Sequence, residues 1–363
     1  MKKNTLLVSI LIVMLFSCSS SSTQEIQGTS GTPVGNPNPD PNETENTSTE
    51  WTIPVNEVLD GGPGRDGIPA LENPVMVTAQ NASLLSDSDL VLGYKKGNDV
   101  RAYQHNILDW HEIVNDNIDN VSLAITYCPL TGTGIGWNRF VDGIETTFGV
   151  SGLLYQTNLI PFDRATKSNW SQILGESVNG SLAGKDAELI TLVETDWKTW
   201  KSMFPNTTVM GLETGFSRTY GTYPYSDYKT NNSLFFFPTP KDSRLPSKDR
   251  VHAIIIGGFA KAYQFSDFDT TPIIKDTFRD RNYLLVGNAN FIASFELDAT
   301  QNALEFEYIF DGTSEAVFQD NRGTQYNIFG ESISGGEQLE LSESFMGYWF
   351  SIPAFYTTEV FGE

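Results

Sequence analysis

Cys128 and His111 are the side chains of this chain best suited to chemistry. A thiolate and an imidazole suit zinc or copper, and Glu112, next to His111, adds an oxygen donor. The same pair suits covalent catalysis, with Cys128 as nucleophile and His111 as base in a hydrolase or transferase. Both chemistries stay open, because sequence separation sets no distance between the two residues. A second group, Arg139, Asp163, Arg164, Trp170, Arg218 and Tyr220, is suited to recognition. The arginine fork matches carboxylates, so an anionic or carboxylate-bearing ligand is expected. The Tyr-rich run from Phe216 to Tyr228 offers aromatic faces with polar tips, which suit a sugar or a peptide. The expected function is a ligand-binding or metal-binding module centred on Cys128 and His111, for a small molecule, glycan or peptide.

Composition narrows the partners. The 363 residues include 45 acidic and 23 basic side chains, for a net charge of −22. That balance excludes nucleic acid, which needs a basic patch. Two cysteines and three histidines cannot make a disulfide framework, a four-thiolate site or a histidine-rich centre. Gly132-Thr133-Gly134-Ile135-Gly136 lacks the spacing of a dinucleotide loop and reads as a flat strand. Asp60 to Asp66 has an acidic turn but lacks the terminal Glu of an EF-hand loop.

The elements that must position these residues start well into the chain. Lys2 and Lys3 precede an apolar stretch, Leu6 to Phe16, which is too short to span a bilayer. It ends in Ser17-Cys18, the pattern of a bacterial lipobox. Residues 1–17 are therefore expected to be a lipoprotein signal peptide, with Cys18 lipidated and the protein anchored in the cell envelope, at the outer membrane, periplasmic or surface-exposed. Residues 18–50 have no basic side chain and are rich in Ser, Pro and Asn, so they are expected to be a disordered tether.

The rest contains an internal repeat. Asp89 to Gln104 matches Asp249 to Gln264 at an offset of 160, with Gly97 on Gly257, Ala102 on Ala262 and Tyr103 on Tyr263. Asp116 falls on Asp276 at the same offset, and Gly175-Glu176-Ser177 matches Gly330-Glu331-Ser332 further on. The fold class expected is mainly β, in the α+β sense: two tandem units, 51–204 and 249–363, joined by a Tyr/Pro-rich connection, 205–248. Gly97 and Gly257 should make hairpin turns, and Asp116 and Asp276 turns after a strand. Each unit should end in a short helix, Glu194–Phe204 capped by Thr195, and Glu343–Tyr356 interrupted by Pro353. His111, Glu112 and Cys128 fall on Thr271, Pro272 and Asn288, so the first unit is expected to carry the site.

Several strings are familiar together: Asp66-Gly67-Ile68-Pro69-Ala70-Leu71, Trp110-His111-Glu112-Ile113-Val114-Asn115-Asp116, Thr126-Tyr127-Cys128-Pro129-Leu130, Phe148 to Tyr155, Asp163-Arg164 and Arg244 to Val251. From about residue 61 to 265 the chain resembles bacterial domain-of-unknown-function family 3179. The resemblance implies an extracytoplasmic protein and no particular activity. The family usually has cysteine-proline-leucine-cysteine where this chain has Cys128-Pro129-Leu130-Thr131. Thr131 removes one sulfur, so a dithiol cycle inside the chain is excluded.

Overall fold

The computed structural model describes residues 50–232 and 242–363. The expected signal peptide, Cys18 and all but the end of the tether lie outside the described residues. The protein is mainly β, with short helices.

In the first half, Leu90–Lys96 and Asp99–Gln104 form a hairpin turned by Gly97 at φ 56°. Val193–Asp196 adds antiparallel on one side, and Thr208–Met210 adds parallel on the other. In the second half Arg250–Ile256 and Phe259–Gln264 form the matching hairpin, with Gly257 at φ 53°. Ser344–Tyr348 joins antiparallel and Thr357–Val360 joins parallel, so the order and sense of pairing are the same. A meander follows each hairpin: Ile113–Ile118, Val121–Cys128 and Thr133–Asn138 in one half, Ile273–Phe278, Arg281–Gly287 and Ile292–Leu297 in the other.

The matching residues have a physical reason. Asp116 and Asp276 lie within strands, not in the turns after them. Each ties its meander to its hairpin. Tyr103 donates to Asp116 at 2.6 Å and Tyr263 to Asp276 at 2.8 Å. Arg101 pairs with Asp116 at 2.8 Å, and Lys261 with Asp276 at 2.5 Å.

The helices correct the sequence expectation in two places. Trp197–Met203 is capped by Asp196, whose side chain accepts from the Thr199 amide, and not by Thr195. The stretch read as a second helix from Glu343 is a strand over Ser344–Tyr348, then a 3-10 turn, then the single turn Ile352–Phe355. Pairing with Arg250–Ile256 claims the first part. Pro353 sits in the opening turn of the helix, where its missing N–H costs nothing.

Packing interleaves the halves. Ala124, Cys128, Trp137 and Trp170 share a core with Val251, Ala253, Ala262 and Trp349. Val91, Ala102 and Trp200 share another with Leu284, Val286 and Phe295. The opposite faces of these sheets pack within each half: Leu92 and Tyr103 against Leu123, Ile125 and Tyr127, and Ile254 and Tyr263 against Tyr283 and Leu285. Four sheets are thereby linked face to face in a closed cycle. A buried ion pair crosses the same junction, with Arg250 on Glu194 and His105 Nε2 at 3.3 Å from the same carboxylate. Expressed separately, the chain up to residue 248 and the chain from 249 should each show no cooperative melting transition by circular dichroism, because each would expose one face of two sheets. A sharp transition from either fragment would refute the shared-core account.

Candidate functional site

Cys128 ends a strand buried on both faces, and its own exposure is 1%. Its sulfur meets the Thr157 carbonyl at 3.8 Å. Burial, with the nearby Glu112 carboxylate, pushes the thiol up to about 11, so it is not a thiolate at neutral pH. The Thr131 hydroxyl belongs to a buried polar network. It lies 2.9 Å from Thr133 Oγ1 and accepts from Asn158 at 3.0 Å, while Gln172 links Asn158, Thr133 and Thr126.

His111 does not pair with Cys128. It ends the helix His105–His111, with Nδ1 2.7 Å from the Pro69 carbonyl and Nε2 2.6 Å from the Tyr220 hydroxyl. Both ring nitrogens are thus engaged elsewhere. Glu112 follows at φ 58°, where the chain reverses, and its carboxylate accepts from Tyr225 at 3.2 Å. Among the described residues, no group of three or more His, Cys, Asp or Glu side chains is arranged to hold a metal ion. The expected zinc or copper set of Cys128, His111 and Glu112 is therefore not assembled, because three separate partners hold the three side chains. The Cys128–His111 catalytic pair fails on the same contacts.

The Tyr-rich run is not an open groove lining either. Tyr223 donates to the Pro129 carbonyl at 3.1 Å, and Tyr228 is fully buried. Lys229 pairs with buried Asp109 at 2.9 Å and lies over the Tyr223 ring. The segment is a strap packed over Glu112 and Cys128. Sequence reasoning missed the buried polar side chains nearby, Asp109, His105 and Glu194, and the partly buried Arg250 on Glu194. Lys248 and Arg250 stood within the familiar strings, but nothing in residue type announced their burial.

The remaining sequence candidates divide by location. Trp170 is a core residue whose indole donates to Asp163 at 3.1 Å. Asp163 is buried and holds a turn by accepting from the Thr166 amide and hydroxyl. Arg218 is exposed and bonds only its neighbour's carbonyl among the described residues. Arg139 and Arg164 do line an open groove of about 500 Å³, together with Glu72, Asn73, Asn117 and Glu145. Their donors, however, are turned into the protein. Arg139 donates to the carbonyls of Leu123, Thr146 and Asp116 and to Asn117. Arg164 donates to the Phe148 carbonyl and to Asp66 at 2.6 Å. The expected anion recognition by these arginines therefore loses its donors.

Two residues outside the sequence-based set complete the picture. Phe140, 57% exposed, sits opposite Glu145 in a two-stranded hairpin, so its side chain leaves the same face of that hairpin as Glu145, which lines the groove. Beside the groove, a cavity of about 270 Å³ is lined by Glu72, Asn73, Glu213, Thr214 and Phe216, with the Tyr220 hydroxyl 2.6 Å from Thr214.

Glu112 has a measurable signature. Burial pushes its carboxyl up to about 7, from 4.5 in an open chain. The folded state therefore holds this proton more tightly, and stability falls as pH rises from about 4.5 to about 7, by roughly 3 kcal/mol in all. Glu112→Gln should flatten that slope and raise stability at pH 8, as read from urea unfolding at pH 5 and pH 8. An unchanged slope in the variant would assign the pH dependence to other groups.

Comparison with known proteins adds one match. Neither a curated protein nor a solved structure matches the chain significantly. The sequence model of the family described as "Protein of unknown function (DUF3179)" matches residues 65–359. The match runs through the second half, well past the residues that carried the resemblance in the sequence. With most of its length covered, the chain belongs to this family of unknown function.

Proposed function

We propose that the protein is a glycan-binding module, held at the cell envelope by the lipid on Cys18, with a neutral polyhydroxylated ligand in the groove beside Phe140. The observation that carries this reading is the exposed Phe140 ring on the same face as Glu145, at a groove edged by Asn73, Asn117 and Glu72. A flat apolar ring stacks on the C–H face of a sugar, while planar amides and carboxylates take its hydroxyls. Charge disfavours an acidic ligand. Asp66, Glu72 and Glu145 outnumber Arg139 and Arg164, whose donors are already occupied. The cysteine-dependent alternative has no support in the geometry, since the thiol is buried and protonated, and His111 is engaged with Pro69 and Tyr220.

A glycan array probed with the purified protein, followed by calorimetry on the best hit, tests the reading. Phe140→Ala should weaken that hit by about tenfold, the worth of roughly 1.4 kcal/mol of stacking. Absence of any hit, or equal binding by the variant, would sink it.

A further inference from the structure

Below the smaller cavity runs an ordered chain of hydrogen bonds whose direction can be worked out. The Pro69 carbonyl only accepts, so His111 Nδ1 carries the proton in the 2.7 Å contact. Burial and the nearby Arg218 charge lower the His111 pKa, which keeps the imidazole neutral at neutral pH and leaves Nε2 bare. The Tyr220 hydroxyl must then donate to Nε2 at 2.6 Å. Its oxygen is left to accept from Thr214 Oγ1, also at 2.6 Å. Thr214 lines the cavity, while the imidazole is fully buried. The chain therefore leads from a hydroxyl on a cavity wall, through a phenol, to a base that solvent does not reach. Gly215, at φ 80°, bends the backbone so that the Phe216 amide turns back to Thr214 Oγ1 at 3.3 Å and fixes its place.

We propose that Thr214, Tyr220 and His111 form a proton relay that makes the Thr214 hydroxyl a nucleophile towards the acyl carbon of an uncharged ester held in this cavity. Burial raises the Tyr220 phenol, so the phenol is not ionised at rest and the proton must move at the moment of attack. In that step the Thr214 Oγ–carbon bond forms and the bond from the acyl carbon to the leaving oxygen breaks. The Thr214 proton passes to Tyr220, whose own proton passes to His111 Nε2. The imidazolium returns its proton to Tyr220 as the Tyr220 hydroxyl gives its own to the departing alkoxide, and water later cleaves the acyl-threonine ester, releasing the acid and restoring the Thr214 hydroxyl. The substrate class follows from the walls: Glu72 and Glu213 line the cavity and, among the described residues, no Lys or Arg does, so a carboxylate-bearing ester is disfavoured. Thr214 is the catalytic residue of this proposal, and Tyr220 and His111 act through it. The relay does not depend on the glycan reading, since its test uses a simple ester.

The probe is p-nitrophenyl acetate, mixed with the full-length purified protein. The expected result is a burst of nitrophenolate approaching one equivalent, with the acetyl group on Thr214 by peptide mass spectrometry. Thr214→Val should abolish the burst and Thr214→Ser should keep it. Tyr220→Phe and His111→Gln should slow it at least tenfold. In the wild type the burst rate should fall with a single inflection below the usual imidazole value of about 6.5, and that inflection should vanish in His111→Gln. A merely structural His111 would not produce the pH step. Should His111→Gln fail to melt cooperatively, Tyr220→Phe carries the test alone. A full burst from Thr214→Val, acetylation confined to lysines, or no burst from the wild type would each overturn the proposal.

Discussion

A strand buried on both faces must find an apolar partner on each side, and in this protein one of those partners belongs to the other half of the chain. Val121–Cys128 sends Leu123, Ile125 and Tyr127 towards the hairpin of its own half, and Ala124 and Cys128 towards the hairpin of the other half. Arg281–Gly287 does the same in reverse, with Tyr283 and Leu285 on one side and Leu284 and Val286 on the other. The hydrophobic term that holds the sheets together is thus spent across the junction as much as within either half. The buried Glu194–Arg250 pair adds a polar constraint at the same place, where removing one partner would leave the other charge unpaired.

That constraint decides where function can reside. Residues on the doubly buried strands are committed to packing, and Cys128 and Trp170 are among them. The strap over Cys128 places the Tyr225 hydroxyl on Glu112 and the Tyr223 hydroxyl on the Pro129 carbonyl, which closes that region further. Two open spaces lie at the rim of the first half. There the short strand Leu71–Glu72 and the loop after Thr208–Met210 leave a cavity, and the Phe140–Glu145 hairpin borders a groove. Glu72 and Asn73 line both spaces, so a ligand in one lies next to the other.

Much of the fold was legible in the sequence. The hairpins turned at Gly97 and Gly257 come from turn chemistry, which acts locally. The helix misread at Glu343 shows the limit. Phe345, Met346, Trp349 and Phe350 recur at a spacing compatible with a helix, yet pairing with Arg250–Ile256 offers more than helical propensity in a short segment. For the site, His111 and Tyr220 were legible as functional types, but their direct contact was not. Thr214, Phe140 and the buried Asp109 gave no signal at all, since a threonine in a polar loop and a phenylalanine before a turn are ordinary.

The sequence by itself determined the acidic character, the mainly β class, the hairpin turns at Gly97 and Gly257 and the family. Each of these depends on residue type or on neighbours within a few positions. The tertiary structure alone decided that the halves interleave, that His111 bonds Pro69 and Tyr220 instead of Cys128, and that Arg139 and Arg164 bond groups of the protein itself. The physical reason is the same in each case. An apolar face or a polar side chain specifies that it needs a partner, and only the closure of the four sheets decides which partner is within reach.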